Sequence, residues 1–190
     1  SGATSSTYKV AKEYVGKYIG CTATVAATTY YLSASAGKAQ TTAITKITGT
    51  NSVTISGTAR WDETLTATIS TNSDGAKGYQ WYYNASNSTS GGTKISGATS
   101  NTYKIAKDYV GKYIYVVATV GDSSYYTTPS SSSAKTGVVA KRTPTVTTSV
   151  SGTARWNETL TCSATNTGDG TSYTYAWYYT TTSGGTSGTT

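Results

Sequence analysis

SGATSNTYKIAKDYVGKYIYVVATVGDSSYY, residues 96–126, repeats residues 1–31, SGATSSTYKVAKEYVGKYIGCTATVAATTYY, with identical residues at 21 of the 31 positions. A second pair of blocks, SGTARWDETLTATI from Ser56 and SGTARWNETLTCSA from Ser151, has the same offset of 95 residues. A period of this length is too long for a solenoid unit and fits one small globular domain. The 190 residues therefore correspond to two periods of a tandem repeat.

Short alternating segments separated by turn signals predict that each repeat is all-β. Segments 65–69 and 114–120 are rich in Thr, Tyr and Val, which pack well on a pleated surface. Turn signals that contain glycine occur at 74–75, 90–92, 96–97, 121–122 and 168–170. The stretch 10–14 has room for a single helical turn at most. Many short strands at regular spacing predict an antiparallel β-sandwich.

The order of three motifs resembles the bacterial immunoglobulin-like repeats of large secreted and cell-surface proteins. SGTARW(D/N)ETLT comes first, a Tyr-x-Trp-Tyr-Tyr strand follows, and SGATSxTYKxAKxYVGKYI comes last. The resemblance covers essentially the whole chain and implies tandem immunoglobulin-like β-sandwich repeats with a period of about 95 residues. One departure is that Trp61-Asp62 and Trp156-Asn157 stand where that family usually has a small aliphatic residue and glycine.

The resemblance also sets the phase of the repeat, because the GTA segment opens such a domain and the VGKYI strand lies near its end. We expect residues 51–142 to form a complete repeat, residues 1–47 the C-terminal half of a preceding one, and residues 145–190 the N-terminal half of the next. The start shows neither an initiator Met nor a signal-peptide pattern, so we expect a mature or excised piece. Either the chain is a window on a longer repeating polypeptide, or separate subunits complete each other's sandwiches head to tail.

The two cysteines correspond to core positions of the complete repeat. At the offset of 95 residues, Cys21 matches Val116 and Cys162 matches Ala67. The resemblance identifies these as the positions that immunoglobulin domains join across their sheets, and so implies a Cys21–Cys162 disulfide between half-domains of adjacent units. The alternative is two unpaired buried thiols. A disulfide fits an oxidising, extracellular or cell-surface setting.

Aromatic residues supply the candidate core and interface positions. Trp81 follows Ala67 by 14 residues and Trp177 follows Cys162 by 15, which marks both as core tryptophans of the resembled fold. Trp61 and Trp156 follow the first strand, where such a ring packs locally, anchors an interface or stacks on a sugar. In each Tyr-Tyr pair one ring faces each side of a strand. The candidate interface tyrosines are Tyr31, Tyr83, Tyr126 and Tyr179.

Charge and chemistry argue against several functional classes. The 15 basic and 8 acidic side chains give +7, but the lysines recur at repeat positions, which indicates solvated faces and no nucleic-acid partner. No apolar run reaches the roughly 18 residues of a membrane helix, so no membrane insertion is expected. Histidine is absent, which excludes a His-containing triad, and Asp62 and Glu63 should point to opposite faces of an extended segment. We expect no enzyme activity, no cofactor and no metal site.

The expected function is therefore mechanical. Near-identical rigid repeats can reuse one interface at every step, which gives an open-ended assembly. We expect a structural segment of an extracellular fibre, stalk or surface adhesin whose partners are identical repeats or subunits arranged head to tail, with lateral contacts between fibres. The alternative is a glycan- or cell-wall-binding module that uses exposed Tyr and Trp.

Overall fold

Antiparallel strands and short 3-10 helices form the regular structure in this computed structural model, which describes residues 2–34 and 37–185. The all-β fold class expected from the sequence is confirmed. The chain divides into two compact units, Ser1–Lys141 and Arg142–Thr190. We call residues 2–47 the leading segment, residues 51–141 the central region and residues 142–185 the trailing segment.

The strands are short, as the spacing of turn signals in the sequence indicates. The 3-10 helices described are Lys12–Tyr14 and Lys107–Tyr109. The described strands are β1 (Gly20–Ala23), β2 (Gly37–Gln40), β3 (Ser52–Ser56), β4 (Thr64–Ser70), β5 (Lys77–Asn84), β6 (Thr93–Lys94), β7 (Thr102–Lys104), β8 (Tyr113–Val120), β9 (Ser132–Val138), β10 (Val146–Ser151) and β11 (Thr161–Asn166).

Two antiparallel sheets make up the central region, an arrangement compatible with a β-sandwich. One sheet has the strand order β3-β4-β7, and the other has the order β6-β5-β8-β9. The longest pairing joins all eight residues of β5 to β8, from Lys77 opposite Val120 to Asn84 opposite Tyr113. The short strand β6 pairs with β5 and so forms one edge of the four-stranded sheet.

Alternation of side chains along the strands places the core between these sheets. In β4, Leu65, Ala67 and Ile69 are buried, whereas the threonines between them face outward. The core cluster joins Leu65 and Ala67 of β4 to Trp81 of β5 and Val116 of β8. Burial of one such large apolar side chain stabilises the fold by about 1.5–3 kcal/mol. The strands expected at 65–69 and 114–120 are therefore confirmed.

Asp62 and Asn157 lie in turns with a left-handed backbone. Their φ angles are 70° and 67°, in the region that favours glycine and that Asp and Asn tolerate better than other side chains. The resembled family usually has glycine at these positions, and the backbone conformation gives the physical reason. The expectation that Asp62 and Glu63 lie on an extended segment is wrong, because the chain turns at Asp62.

Each outer segment contains one two-stranded antiparallel sheet among its described residues. In the leading segment, β1 pairs with β2 from Gly20 opposite Gln40 to Ala23 opposite Gly37. In the trailing segment, β10 pairs with β11 along six residues, and Val150 lies opposite Cys162. Both sheets are largely exposed.

Candidate assembly surfaces

A short parallel bridge holds the leading segment on the central region. Ile47 pairs with Tyr126 as an isolated bridge. The Ile47 amide donates to the Tyr125 carbonyl at 3.0 Å, and the Thr127 amide donates to the Ile47 carbonyl at 2.9 Å. Tyr126, one of the candidate interface tyrosines, therefore lies in the loop that receives the leading segment.

A polar contact reinforces this bridge. The Lys46 ammonium group donates to the Ser123 carbonyl at 2.5 Å. Ser123 is buried, its hydroxyl donates to the Asp74 carboxylate, and the same oxygen accepts the Tyr125 amide at 3.1 Å. The Lys12 ammonium nitrogen lies 5.0 Å from the centre of the Tyr125 ring, within the range of a cation–π interaction. The leading segment thus contacts this loop through two lysines as well as through its backbone.

The linker between the leading segment and the central region is hydrogen-bonded along its length. The Asn72 side chain donates to the Thr48 carbonyl at 3.1 Å and accepts the Thr50 amide at 2.8 Å. The Asn51 side chain donates to the Ala118 carbonyl at 3.0 Å. A flexible tether would leave these backbone groups to solvent. Residues 46–51 therefore form a fixed joint, which we call the linker joint.

Replacing Gly49 with alanine is expected to lower the free energy of unfolding by about 1–3 kcal/mol, because overpacking shifts the backbone. A Cβ at Gly49 would overlap the Thr127 carbonyl oxygen and lie 3.0 Å from Cδ of Pro129. Urea unfolding followed by circular dichroism measures this change. The control is Gly137→Ala, where a Cβ meets no atom within 4 Å and the free energy of unfolding should stay constant or rise by less than about 1 kcal/mol. Equal losses in the two variants would contradict the close approach at the linker joint.

Apolar side chains of the leading segment are exposed although their matches in the central region are buried. At the offset of 95 residues, Val25 matches Val120, and the exposed fractions of these side chains are 65% and 2%. Val10 is exposed, whereas its match, Ile105, is buried. The leading segment therefore exposes apolar side chains at positions that are buried in the central region.

The trailing segment shows the same contrast. Leu160 is exposed, whereas its match, Leu65, is buried. Trp177 is 51% exposed and lies outside the strands, whereas Trp81 is 0% exposed at the centre of the core. The two residues predicted as core tryptophans therefore have different surroundings.

An open cavity of about 500 Å³ lies beside β1. Its lining includes the rings of Tyr8 and Tyr14, the ammonium-bearing Lys17, and Ile19 and Cys21. The ring centres of Tyr8 and Tyr14 are 6.3 Å apart, with 56° between the ring planes. A side-chain hydrogen bond with Tyr14, followed by desolvation, raises the pKa of Tyr8 above its usual value.

The corresponding tyrosines of the central region are packed against the core. The ring centres of Tyr103 and Tyr109 are also 6.3 Å apart, with 56° between their planes. Burial, followed by the neighbouring Tyr109, raises the pKa of Tyr103 to about 12. The same pair of rings is therefore held in one geometry at both places, open in the leading segment and covered in the central region.

Among the other candidate interface residues, one is half-buried and three are exposed. Trp61 is half-buried, packs against the core cluster, and its amide donates to the Ala140 carbonyl at 3.2 Å. Trp156, which matches Trp61, is 91% exposed. Tyr31 and Tyr179 are exposed as well.

Tyr83, one of the candidate interface tyrosines, faces the core of the central region. It lies two residues after Trp81 on β5, and residues two apart on a strand share a face. Tyr83 accordingly packs against the core cluster. Tyr82 is the ring on the other face, where it stacks on Tyr115 with 4.9 Å between ring centres. The spacing from Trp81 could have given this orientation.

Both cysteines are free thiols and belong to different units. Cys21 is exposed and Cys162 is half-buried. Their matches, Val116 and Ala67, belong to one core cluster. The Cys21–Cys162 disulfide between adjacent units stays a prediction.

Asp62 and Glu63 take part in separate ion pairs. The Asp62 carboxylate lies 2.7 Å from the Lys104 ammonium, and the Glu63 carboxylate lies 2.7 Å from the Arg60 guanidinium. In residues 2–34 and 37–185, no three His, Cys, Asp or Glu side chains come together in a way that could hold a metal ion. Over the same ranges, no helix has the length and apolar character needed to cross a membrane.

Comparison of the sequence with protein-family models found no match, and comparison with curated proteins found none either. The functional assignment therefore depends on the residues and contacts described above.

Proposed function

We propose that this chain is a structural segment of an extracellular fibre, stalk or surface adhesin, built from tandem immunoglobulin-like sandwiches that assemble head to tail. The observation that carries the proposal is that both outer segments expose side chains whose matches form the buried core of the central region. Val25 and Leu160 are exposed, and Val120 and Leu65 are buried. Exposed apolar side chains at positions of this kind indicate an interaction surface.

The two outer segments are complementary halves of one sandwich in this proposal. By the offset of 95 residues, the trailing segment carries the matches of β3 and β4, and the leading segment carries the matches of β8 and β9. Pairing the trailing segment of one copy with the leading segment of the next would reproduce the core of the central region. The proposed bounds of the three parts are 1–47, 51–142 and 145–190.

Recurring backbone conformations support the tandem arrangement and its resemblance to bacterial immunoglobulin-like repeats. The 3-10 helices begin at Lys12 and Lys107, which are 95 positions apart (107 − 12). The left-handed turns at Asp62 and Asn157 have the same separation (157 − 62). Matching local sequences thus adopt the same local backbone structure in different parts of the chain.

The path of the chain through the central region supports an end-to-end arrangement. The linker joint lies beside the loop that follows Val120, at one end of β8. The chain leaves near Ala140, which bridges to Arg60, and the Val139 amide donates to the Lys112 carbonyl just before the other end of β8. An eight-residue strand is about 26 Å long. The chain enters the central region at one end of β8 and leaves it near the other end. This path favours successive domains arranged in a row.

The linker joint supports a mechanical role. Hydrogen bonds from Asn72, Asn51 and Lys46 fix the linker on the central region. Domains joined by short, hydrogen-bonded linkers keep their relative orientation better than domains joined by flexible ones. The shaft of a fibre needs this property.

A disulfide between neighbouring copies belongs to the same proposal. If the outer segments form one sandwich, Cys162 takes the position of Ala67 and Cys21 that of Val116, on the two facing sheets of the core. Disulfides persist in oxidising compartments. The cysteine positions therefore support a location outside the cell.

Sedimentation velocity and electron microscopy of the reduced chain at increasing concentration test the proposal. We expect linear particles that lengthen with concentration, because each copy offers one surface of each kind. A chain that stays monomeric over the micromolar range would contradict head-to-tail assembly. A monomer whose Trp fluorescence responds to soluble glycans would instead favour the glycan-binding alternative.

A further inference from the structure

The cavity beside β1 has the lining of an aromatic receptor. Its residues Ser5, Tyr8, Ile19 and Cys21 match Ser100, Tyr103, Ile114 and Val116 at the offset of 95 residues. In the central region, the matching residues surround one side chain. That side chain is Trp81.

The contacts of Trp81 show which kind of side chain such a lining binds. The indole N–H donates to the Ser100 carbonyl at 2.8 Å. The Trp81 ring centre lies 5.7 Å from that of Tyr103, and Val116 is its partner across the strand pair. Trp81, Ile114 and Val116 have no exposed surface. The lining thus offers one hydrogen-bond acceptor, one aromatic face and an apolar floor.

Tyr83 occupies the outer part of the same site in the central region. Its ring centre lies 4.9 Å from that of Tyr109. The Lys112 ammonium nitrogen lies 4.6 Å from the centre of the Tyr83 ring, a cation–π distance. The matching residues of the leading segment are Tyr14 and Lys17, and both line the cavity.

The cavity beside β1 already has the tyrosine geometry of the filled site in the central region. The Tyr8–Tyr14 pair has the separation and tilt of the Tyr103–Tyr109 pair although no Trp ring covers it. A receptor that keeps its bound geometry loses little conformational entropy when it is filled.

The trailing segment carries the side chains that fit. Its sequence Tyr-Ala-Trp-Tyr-Tyr at 175–179 matches Tyr-Gln-Trp-Tyr-Tyr at 79–83. Trp177 and Tyr179 take the places of Trp81 and Tyr83, and both are exposed. Large aromatic side chains in a desolvated pocket are the usual anchors of protein interfaces.

We infer that the cavity beside β1 is the receptor for Trp177 and Tyr179 of a second copy, an inference that rests on the head-to-tail assembly proposed above. The Trp177 indole N–H donates to the Ser5 carbonyl, and its ring packs on Tyr8. Tyr179 packs on Tyr14 and lies under the Lys17 ammonium group. The second copy is the occupant because its residues 175–179 reproduce the segment that fills the matching site of the central region.

Tyr178 provides a matched control. Its match, Tyr82, lies on the opposite face of the strand and stacks on Tyr115. In the leading segment, Gly20 stands at the place of Tyr115, so the Tyr178 ring gains no aromatic partner. Tyr178 therefore lies beside the anchor in sequence and contributes little to it.

Trp177→Ala and Tyr178→Ala in the full chain, kept reduced, test the receptor by sedimentation velocity. We expect Trp177→Ala to weaken association by at least about 30-fold and Tyr178→Ala by less than about threefold. Tyr8→Ala, on the receiving side, should weaken association as Trp177→Ala does.

Mixing the two defective variants separates a lost contact from a misfolded chain. Trp177→Ala keeps an intact cavity and Tyr8→Ala keeps an intact Trp177, so an equimolar mixture should form dimers that grow no further. Failure of the mixture to dimerise would overturn the receptor assignment, as would equal assembly of Trp177→Ala and Tyr178→Ala. Both results presuppose that the unsubstituted chain assembles. If it does not, the head-to-tail proposal itself fails.

Discussion

Trp81→Ala is expected to lower the free energy of unfolding of the central region by about 3–5 kcal/mol. The ring is 0% exposed, and its removal leaves a cavity between Leu65 of one sheet and Val116 of the other. The hydrogen bond from the indole N–H to the Ser100 carbonyl is lost as well, which adds to the destabilisation. Since small domains are stable by only about 5–15 kcal/mol, the variant should unfold at much lower urea concentration.

Trp156→Ala is the matched control for this prediction. The same side chain is removed, but Trp156 is 91% exposed, so the loss should stay within about 0.5 kcal/mol. Circular dichroism of dilute, reduced chain measures both variants without relying on the remaining tryptophans. Similar losses in the two variants would contradict the position of Trp81 at the centre of the core.

Oxidation of the assembled chain is expected to give a ladder of covalent multimers that reduction collapses to a single 19.7 kDa band. In the proposed assembly, Cys162 of one copy lies near Cys21 of the next, because their matches Ala67 and Val116 share one core cluster. A chain that carries both thiols can be cross-linked to one neighbour on each side. Non-reducing electrophoresis measures the ladder.

Single-cysteine variants test how many chains can be cross-linked into one multimer. Cys21→Ser and Cys162→Ser should each stop at dimers or monomers, because one thiol per chain cannot extend a polymer. An equimolar mixture of the two variants should give one cross-linked dimer. An unsubstituted chain that stays monomeric after oxidation, at concentrations where sedimentation shows assembly, would contradict the expected position of the cysteines.

Local sequence patterns sufficed to predict the strands and the inward positions of the central region. The alternation around Ala67 and Val116 predicted two buried faces, and both residues lie in the core. A side chain's face follows from strand periodicity, which is readable from the sequence alone. The same rule applied to Tyr83 would have placed its ring beside Trp81 and not outward.

Other features depend on contacts between distant parts of the chain. In the linker joint, Lys46 contacts Ser123 across 77 residues, and Gly49 contacts Thr127 across 78. No local pattern marks these pairs, because each depends on how two loops meet after folding. The turn at Asp62 could have been anticipated, since Asp62 and Asn157 both stand where the resembled family has glycine.

Peptide mapping of oxidised assemblies, grown from a mixture of labelled and unlabelled chains, tests most directly whether the outer segments complete each other between copies. We expect Cys21 peptides joined to Cys162 peptides, with labelled and unlabelled halves combined in statistical proportion. Cross-links confined to one isotope would place the pair within a single chain and contradict assembly between copies. Cys21–Cys21 and Cys162–Cys162 pairs in place of the mixed pair would contradict the head-to-tail order.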